Sequence, residues 1–170
     1  MGALWLIGMM GSGKTVVGAL VADGTGLPFV DTDRCIEAET EQSITSLWET
    51  AGEEAFRDLE TGQIARIVTA GGDCVVATGG GAILRPDNVA AMRDSGLVVW
   101  LTATPDVLAG RLGGRSTRPL LADQQADQRL VELLAERQAA YREAAHHTVD
   151  TSSKNPDDIA REVMLLWNAS

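Results

Sequence analysis

The sequence predicts an α/β domain in which a parallel sheet is covered by helices on both faces. Short apolar runs alternate with longer helix-like stretches, the βαβ rhythm that a parallel sheet requires. The first of those runs passes straight into a glycine-rich loop and then a helix. The chain has 170 residues, 45% of them hydrophobic. That is enough for one well-buried core and short for two ordinary domains, so a single domain over 1–170 is expected.

The elements follow in order. Residues 3–7 (ALWLI) form a continuous apolar run, as suits a strand buried on both faces. After the glycine loop, 14–22 has helical character, and 28–30 makes a second short strand that leads into Asp31. Helices are expected at 36–39 and at 44–69, the longer one interrupted at Gly52. A third strand at 74–77 runs into Gly79-Gly80-Gly81. Helix 87–95, strand 97–101 and helix 105–112 follow. Residues 113–128 carry several polar side chains and no clear period, so a mobile lid is expected at about 113–127. Helix 128–144, strand 147–149 and helix 156–167 complete the chain.

The formal net charge is −10. Nucleic acid and acidic membrane surfaces attract basic proteins, so neither is an expected partner, and positive charge for an anionic ligand must be gathered locally. Cys35 and Cys74 are too few and too far apart for a disulfide framework or a zinc site. No run of 18 uninterrupted apolar residues appears, and no basic leader precedes the first strand, so a cytoplasmic monomer is expected.

The opening loop carries the first chemistry. Gly8-Met9-Met10-Gly11-Ser12-Gly13-Lys14-Thr15 fits G-x-x-x-x-G-K-[ST] between a strand and a helix, the context that gives this motif meaning. Its glycines let backbone N–H groups turn toward phosphate oxygens, and the following helix adds the positive end of its dipole. Gly11, Ser12 and Gly13 would line the phosphates of ATP. Lys14 would hold the β- and γ-phosphates, and the Thr15 hydroxyl would ligand Mg²⁺. A glycine-rich turn with a solvated lysine is the plain alternative.

Other residues fall at the carboxyl ends of the strands, where open parallel sheets bind their ligands. Asp31 and Asp33 in "VDTDRCIE" divide naturally into a carboxylate reaching Mg²⁺ through water and a base for an acceptor hydroxyl; equally, they read as a helix N-cap and a first-turn acid. Gly79, Gly80 and Gly81 suggest close backbone approach, with N–H groups left for a second substrate. Arg57, Arg118 and Arg137 offer the planar fork that suits carboxylate and phosphate. Each also has an ordinary reading: Arg57 as a surface ion pair with Glu53 or Glu60, Arg137 as a partner of Glu132 or Glu136, and Arg118 as a solvated loop charge.

In order, "GMMGSGKT", "DTD", "EEAFRDLE", "ATGGGA", "RSTRPLL" and "ERQAAYRE" resemble the shikimate kinases across essentially the whole chain. The resemblance implies a P-loop kinase with a five-stranded parallel sheet and a lid, transferring the γ-phosphate of ATP to the 3-hydroxyl of shikimate, with one Mg²⁺ per subunit. It implies that Asp33, Arg57, Gly79, Gly80, Gly81 and Arg137 bind shikimate, with Asp33 as base and the two arginines on the carboxylate. Lys14 and Arg118 would serve catalysis, Arg118 closing from the lid. Arg111 and Pro156 match the segments that flank adenine in that family.

Some residues lie outside this pattern. Arg115 adds a second base to the lid, and Trp48 stands either beside the substrate or in the core. His146 and His147 read as strand-entry residues, and the acidic groups at 37–41 and 49–54 as solvated helix faces. Two rivals share parts of the pattern: a related small-molecule kinase of the gluconate type, and a kinase-like binding protein without turnover. A GTP switch lacks its N-K-x-D signature here.

Overall fold

A computed structural model describes residues 2–113 and 125–170. Five strands form one parallel sheet: β1 (Ala3–Ile7), β2 (Phe29–Asp31), β3 (Cys74–Ala77), β4 (Gly96–Thr102) and β5 (His147–Asp150), in the order β2-β3-β1-β4-β5. All four neighbouring pairs are parallel, with Trp5 facing Val76 on one side and Val98 on the other. The chain leaves β1 toward β2 and later crosses to β4 on the opposite side. The end of β1 is therefore the switch point where a doubly wound sheet opens a crevice.

Alternation along β1 divides the core into two layers. Trp5 and Ile7 pack with Val76, Val98, Trp100, Leu108 and Tyr141; Leu4 and Leu6 pack with Val17, Val75, Val99, Val149, Val163 and Trp167 on the other face. The first layer lies under α3 (Ile44–Ala70), α4 (Pro86–Ser95), α5 (Pro105–Leu112) and α6 (Gln125–Ala144). The second lies under α1 (Lys14–Thr25) and α7 (Pro156–Asn168). Gly52 does interrupt α3, with φ 85° and ψ 170°. A short helix, α2 (Thr32–Thr40), spans more than the 36–39 expected. It starts immediately after β2 because Asp31 caps it, its side chain accepting from the N–H of Arg34 at 3.3 Å.

The α2–α3 lobe has its own small core of Ile36, Leu47 and Phe56. Part of the acidic surface also reinforces it while remaining exposed, as expected of solvated helix faces. Glu39 accepts from Arg66 and from Gln63, Glu37 accepts from the N–H of Ile44, and Arg85 reaches Glu54 and Asp58. His146, as a strand-entry residue, donates its backbone N–H to Val98 and accepts the Val98 N–H on Nδ1 at 2.9 Å. Cys35 and Cys74 are free thiols. Among the described residues no helix is long and apolar enough to cross a membrane.

Candidate active site

The glycine loop sits at the end of the central strand, and three of its glycines adopt the left-handed region: Gly8 at φ 148°, Gly11 at 80° and Gly13 at 96°. At Gly8 a side chain is excluded twice over, since a Cβ there would lie 2.3 Å from the Leu101 carbonyl oxygen. Gly13 caps α1 without offering a side-chain acceptor, so the first-turn N–H groups point into the loop. Lys14 Nζ donates to the carbonyls of Gly8 and Met9 at 2.7 and 2.9 Å, which lays its ammonium across the cradle. Ser12 is buried and donates its N–H to the Met9 carbonyl, serving the loop's own turn.

Asp31 meets the N-cap reading of its position. One carboxylate oxygen caps α2; the other accepts from Thr15 Oγ1 at 2.8 Å. A hydroxyl and a carboxylate side by side are hard oxygen donors of the kind Mg²⁺ uses when phosphates supply its remaining ligands, so the residues fit that ion. Arg111 bridges the P-loop and the segment after β5, donating to Gly11 O and to Thr151 O and Oγ1. Asn155 caps α7 and Pro156 opens it. Arg111 and Pro156 are exposed.

Across the crevice, Arg57 overturns the surface ion-pair reading. It is 7% exposed and donates to Glu60 at 2.7 Å and to Glu53 at 3.2 Å. Its guanidinium lies 5.5 Å from the Trp48 ring centre and 5.4 Å from that of Phe56, so Trp48 joins the site's wall as well as the packing. Glu60 is fully buried, and burial pushes its carboxyl above the ordinary carboxylate range while Arg57 pulls the other way. Sequence reasoning missed Glu60 as a site residue. Its spacing of three from Arg57 was visible, but its burial was not.

The triple glycine is explained by these side chains. A Cβ on Gly79 would stand 2.1 Å from Glu60 Oε1 and 2.8 Å from Asp33 Oδ1; one on Gly81 would stand 2.2 Å from the Arg57 guanidinium. Close approach at Gly79 and Gly81 is therefore to protein side chains. The Gly79 N–H is already taken by Thr32 Oγ1 at 3.1 Å. Asp33, in the first turn of α2, faces the same cluster.

Arg137 also departs from its ordinary reading. It is 8% exposed and reaches the Gly80 carbonyl at 3.4 Å, while Glu132 and Glu136 pair with Arg129 instead. Among the described residues no carboxylate comes within salt-bridge distance of it. A buried guanidinium in that condition calls for an anionic partner. Arg118, Arg115 and the expected lid beyond Gly113 lie outside the described residues, as do the side chains at 125–127.

A phosphate-type loop at the switch point of a parallel sheet, faced by a buried arginine with no salt bridge among the described residues, is the arrangement of a P-loop protein with a small-molecule site beside it. The family model described as Shikimate kinase matches residues 10–167. The chain is 44% identical over 161 residues to the shikimate kinase of Symbiobacterium thermophilum, covering 94% of this chain and 92% of that one. Its fold superimposes with a TM-score of 0.93 on "Shikimate kinase from Acinetobacter baumannii in complex with shikimate", at 34% identity and covering 99% of this chain and 94% of that one. The chain belongs to the shikimate kinase family. A gluconokinase from Sinorhizobium meliloti shares the fold alone, at 20% identity and a TM-score of 0.61, covering 99% of this chain and 94% of that one.

Proposed function

We propose that the chain transfers the γ-phosphate of ATP to the 3-hydroxyl of shikimate, giving shikimate 3-phosphate and ADP. The observation that carries this reading is Arg137, buried beside Gly80 with no salt bridge among the described residues. Together with Arg57 it makes a seat for a small carboxylate. Asp33 stands near the same loop to hold an acceptor hydroxyl, and Gly80 and Gly81 retain N–H groups for neighbouring hydroxyls. Asp33 takes the proton as the hydroxyl oxygen attacks the γ-phosphorus and the bond to ADP breaks.

On the donor side, Lys14 leaves its carbonyl partners for the β- and γ-phosphates. Thr15 and Asp31 would hold Mg²⁺, Asp31 through water, and the ion would supply neutralisation of charge on the phosphates. Arg111 and Pro156 flank the adenine, and Arg118 stabilises the transferred group from the lid. The protein acts in the cytoplasm as a monomer.

The test is a coupled assay for ADP release from ATP and Mg²⁺, with shikimate, with gluconate and with neither. Release that depends on shikimate is expected. ADP formation indifferent to shikimate, or greater with gluconate, would overturn the assignment.

A further inference from the structure

Helix α6 contributes more to the acceptor side than Arg137. One turn further along, Tyr141 is fully buried, and its hydroxyl donates to the Gly80 carbonyl, the same oxygen that Arg137 reaches. The ring is fixed from behind by Trp100 of β4, with centroids 5.5 Å apart and planes 11° from parallel. Gly80 itself touches the donor side: a Cβ built there would lie 3.5 Å from Gly8 O and 3.6 Å from Met10 N of the P-loop, and 3.7 Å from the Tyr141 hydroxyl. One peptide thus lies between the phosphate cradle and the acceptor arginine, with a single phenol behind it.

We infer that Tyr141 is a positioning residue for phosphoryl transfer: its hydroxyl, clamped by the Trp100 stack, fixes the Gly80 peptide and with it the spacing between the P-loop and the shikimate seat. Burial pushes the phenol well above its ordinary pKa, so it stays a donor throughout the working pH range. Without that donor, the Gly80 carbonyl would keep only the long contact to Arg137. The peptide would then be free to tilt, and the guanidinium would be drawn from the substrate carboxylate to serve the carbonyl instead.

The inference rests on the shikimate kinase reading, and the experiment separates the two. If wild-type protein shows no shikimate-dependent turnover, the function itself fails. If it does turn over, Tyr141→Phe is expected to raise KM for shikimate by about 5–20-fold and lower kcat by a smaller factor, with ATP affinity unchanged, as for loss of one buried hydrogen bond that acts on one substrate. Val163→Ala, a core truncation on the opposite face of the sheet, is the control for stability loss alone. It should lower the melting temperature and leave KM for shikimate as it was. Equal weakening of both substrates in Tyr141→Phe, an unchanged KM, or the same rise in Val163→Ala would overturn the inference. Should Tyr141→Phe fail to fold, Trp100→Leu keeps the hydroxyl and removes the stack. It is expected to raise KM for shikimate by about 2–5-fold, and no rise there would equally overturn the inference.

Discussion

The two sides of the crevice are built by different means. The donor side centres on one continuous octapeptide whose shape is set by glycines at positive φ and whose lysine rests on main-chain carbonyls of its own loop, with Asp31 and Arg111 attached to it. The acceptor side is assembled from side chains of α2, α3, α6 and the loop after β3, which are far apart in sequence and meet only through tertiary packing. The contrast teaches that the P-loop carries its chemistry in its own residues and leans on others, such as Leu101 and Arg111, for packing. The acceptor seat, by comparison, is open to disturbance from any of four directions.

The largest effect expected is on the donor side. Lys14→Ala should abolish phosphoryl transfer and weaken ATP binding while leaving the circular dichroism spectrum and melting temperature near wild type, because the ammonium meets loop carbonyls rather than core. Wild-type turnover in that variant would break the comparison at its root.

Next come the two aspartates, one on each side of the divide. Asp33→Asn removes the basic oxygen, and turnover should fall by roughly 10²–10⁴-fold with ATP binding intact. Asp31→Asn keeps an oxygen to cap α2 and alters the oxygen facing Thr15, so it should raise the Mg²⁺ concentration for half-maximal rate, an effect that excess metal relieves. A Mg²⁺ titration of both variants decides it: metal rescue of Asp33→Asn, with Asp31→Asn indifferent, would reverse the assigned roles.

A smaller effect sharpens the claim that the acceptor seat depends on distant packing. Gly81→Ala places a methyl 2.2 Å from the Arg57 guanidinium and must displace it. Loss of a charge-assisted contact is worth ~1.5–3 kcal/mol, so shikimate binding should weaken by about 10–100-fold, read by calorimetry, while ATP binding holds. Gly62→Ala in α3, where a Cβ meets nothing within 4 Å, is the matched control and should be neutral or slightly stabilising.

The smallest effect lies outside both sides. Burial first, and then the charges of Arg93 and His147, hold the His146 imidazole below its ordinary pKa. The folded chain therefore takes up that proton less readily than the unfolded one. The stability His146 supplies through its bond to the Val98 N–H is complete above the ordinary imidazole range and declines as pH falls below it. Thermal unfolding across pH 8 to 5 should show this decline, reduced in His146→Asn, whose amide oxygen can replace Nδ1. An identical pH profile in the variant would remove His146 as the cause.

The same contrast decides what could be read from the sequence. All five strands and the break at Gly52 were legible from apolar runs and glycine placement, as was the P-loop from its fixed spacing. At Asp31 the expected cap is present, and the second carboxylate oxygen accepts from Thr15, a contact that the spacing did not suggest. The acceptor side was harder. Arg57 and Arg137 stand on helices among acids at pairing distance, and the pattern cannot say that Glu60 would be carried inside with Arg57 while Glu53 stays at the surface and Arg137's nearest acids turn outward to Arg129. The glycine triplet was rightly taken as a sign of close approach. The approaching groups, Glu60 and the Arg57 guanidinium, come from another element, and no local rule could name them.

That Arg137 forms no salt bridge among the described residues carries a consequence for descent. Asp31 holds a helix end and Arg57 holds two acids, so a lineage that abandoned the reaction would still be selected to keep both for folding. Arg137 is tied to the fold more weakly, through the long contact to the Gly80 carbonyl. In relatives that have lost activity, position 137 should drift early while positions 31 and 57 persist, and sequencing such relatives alongside activity assays would show whether it does.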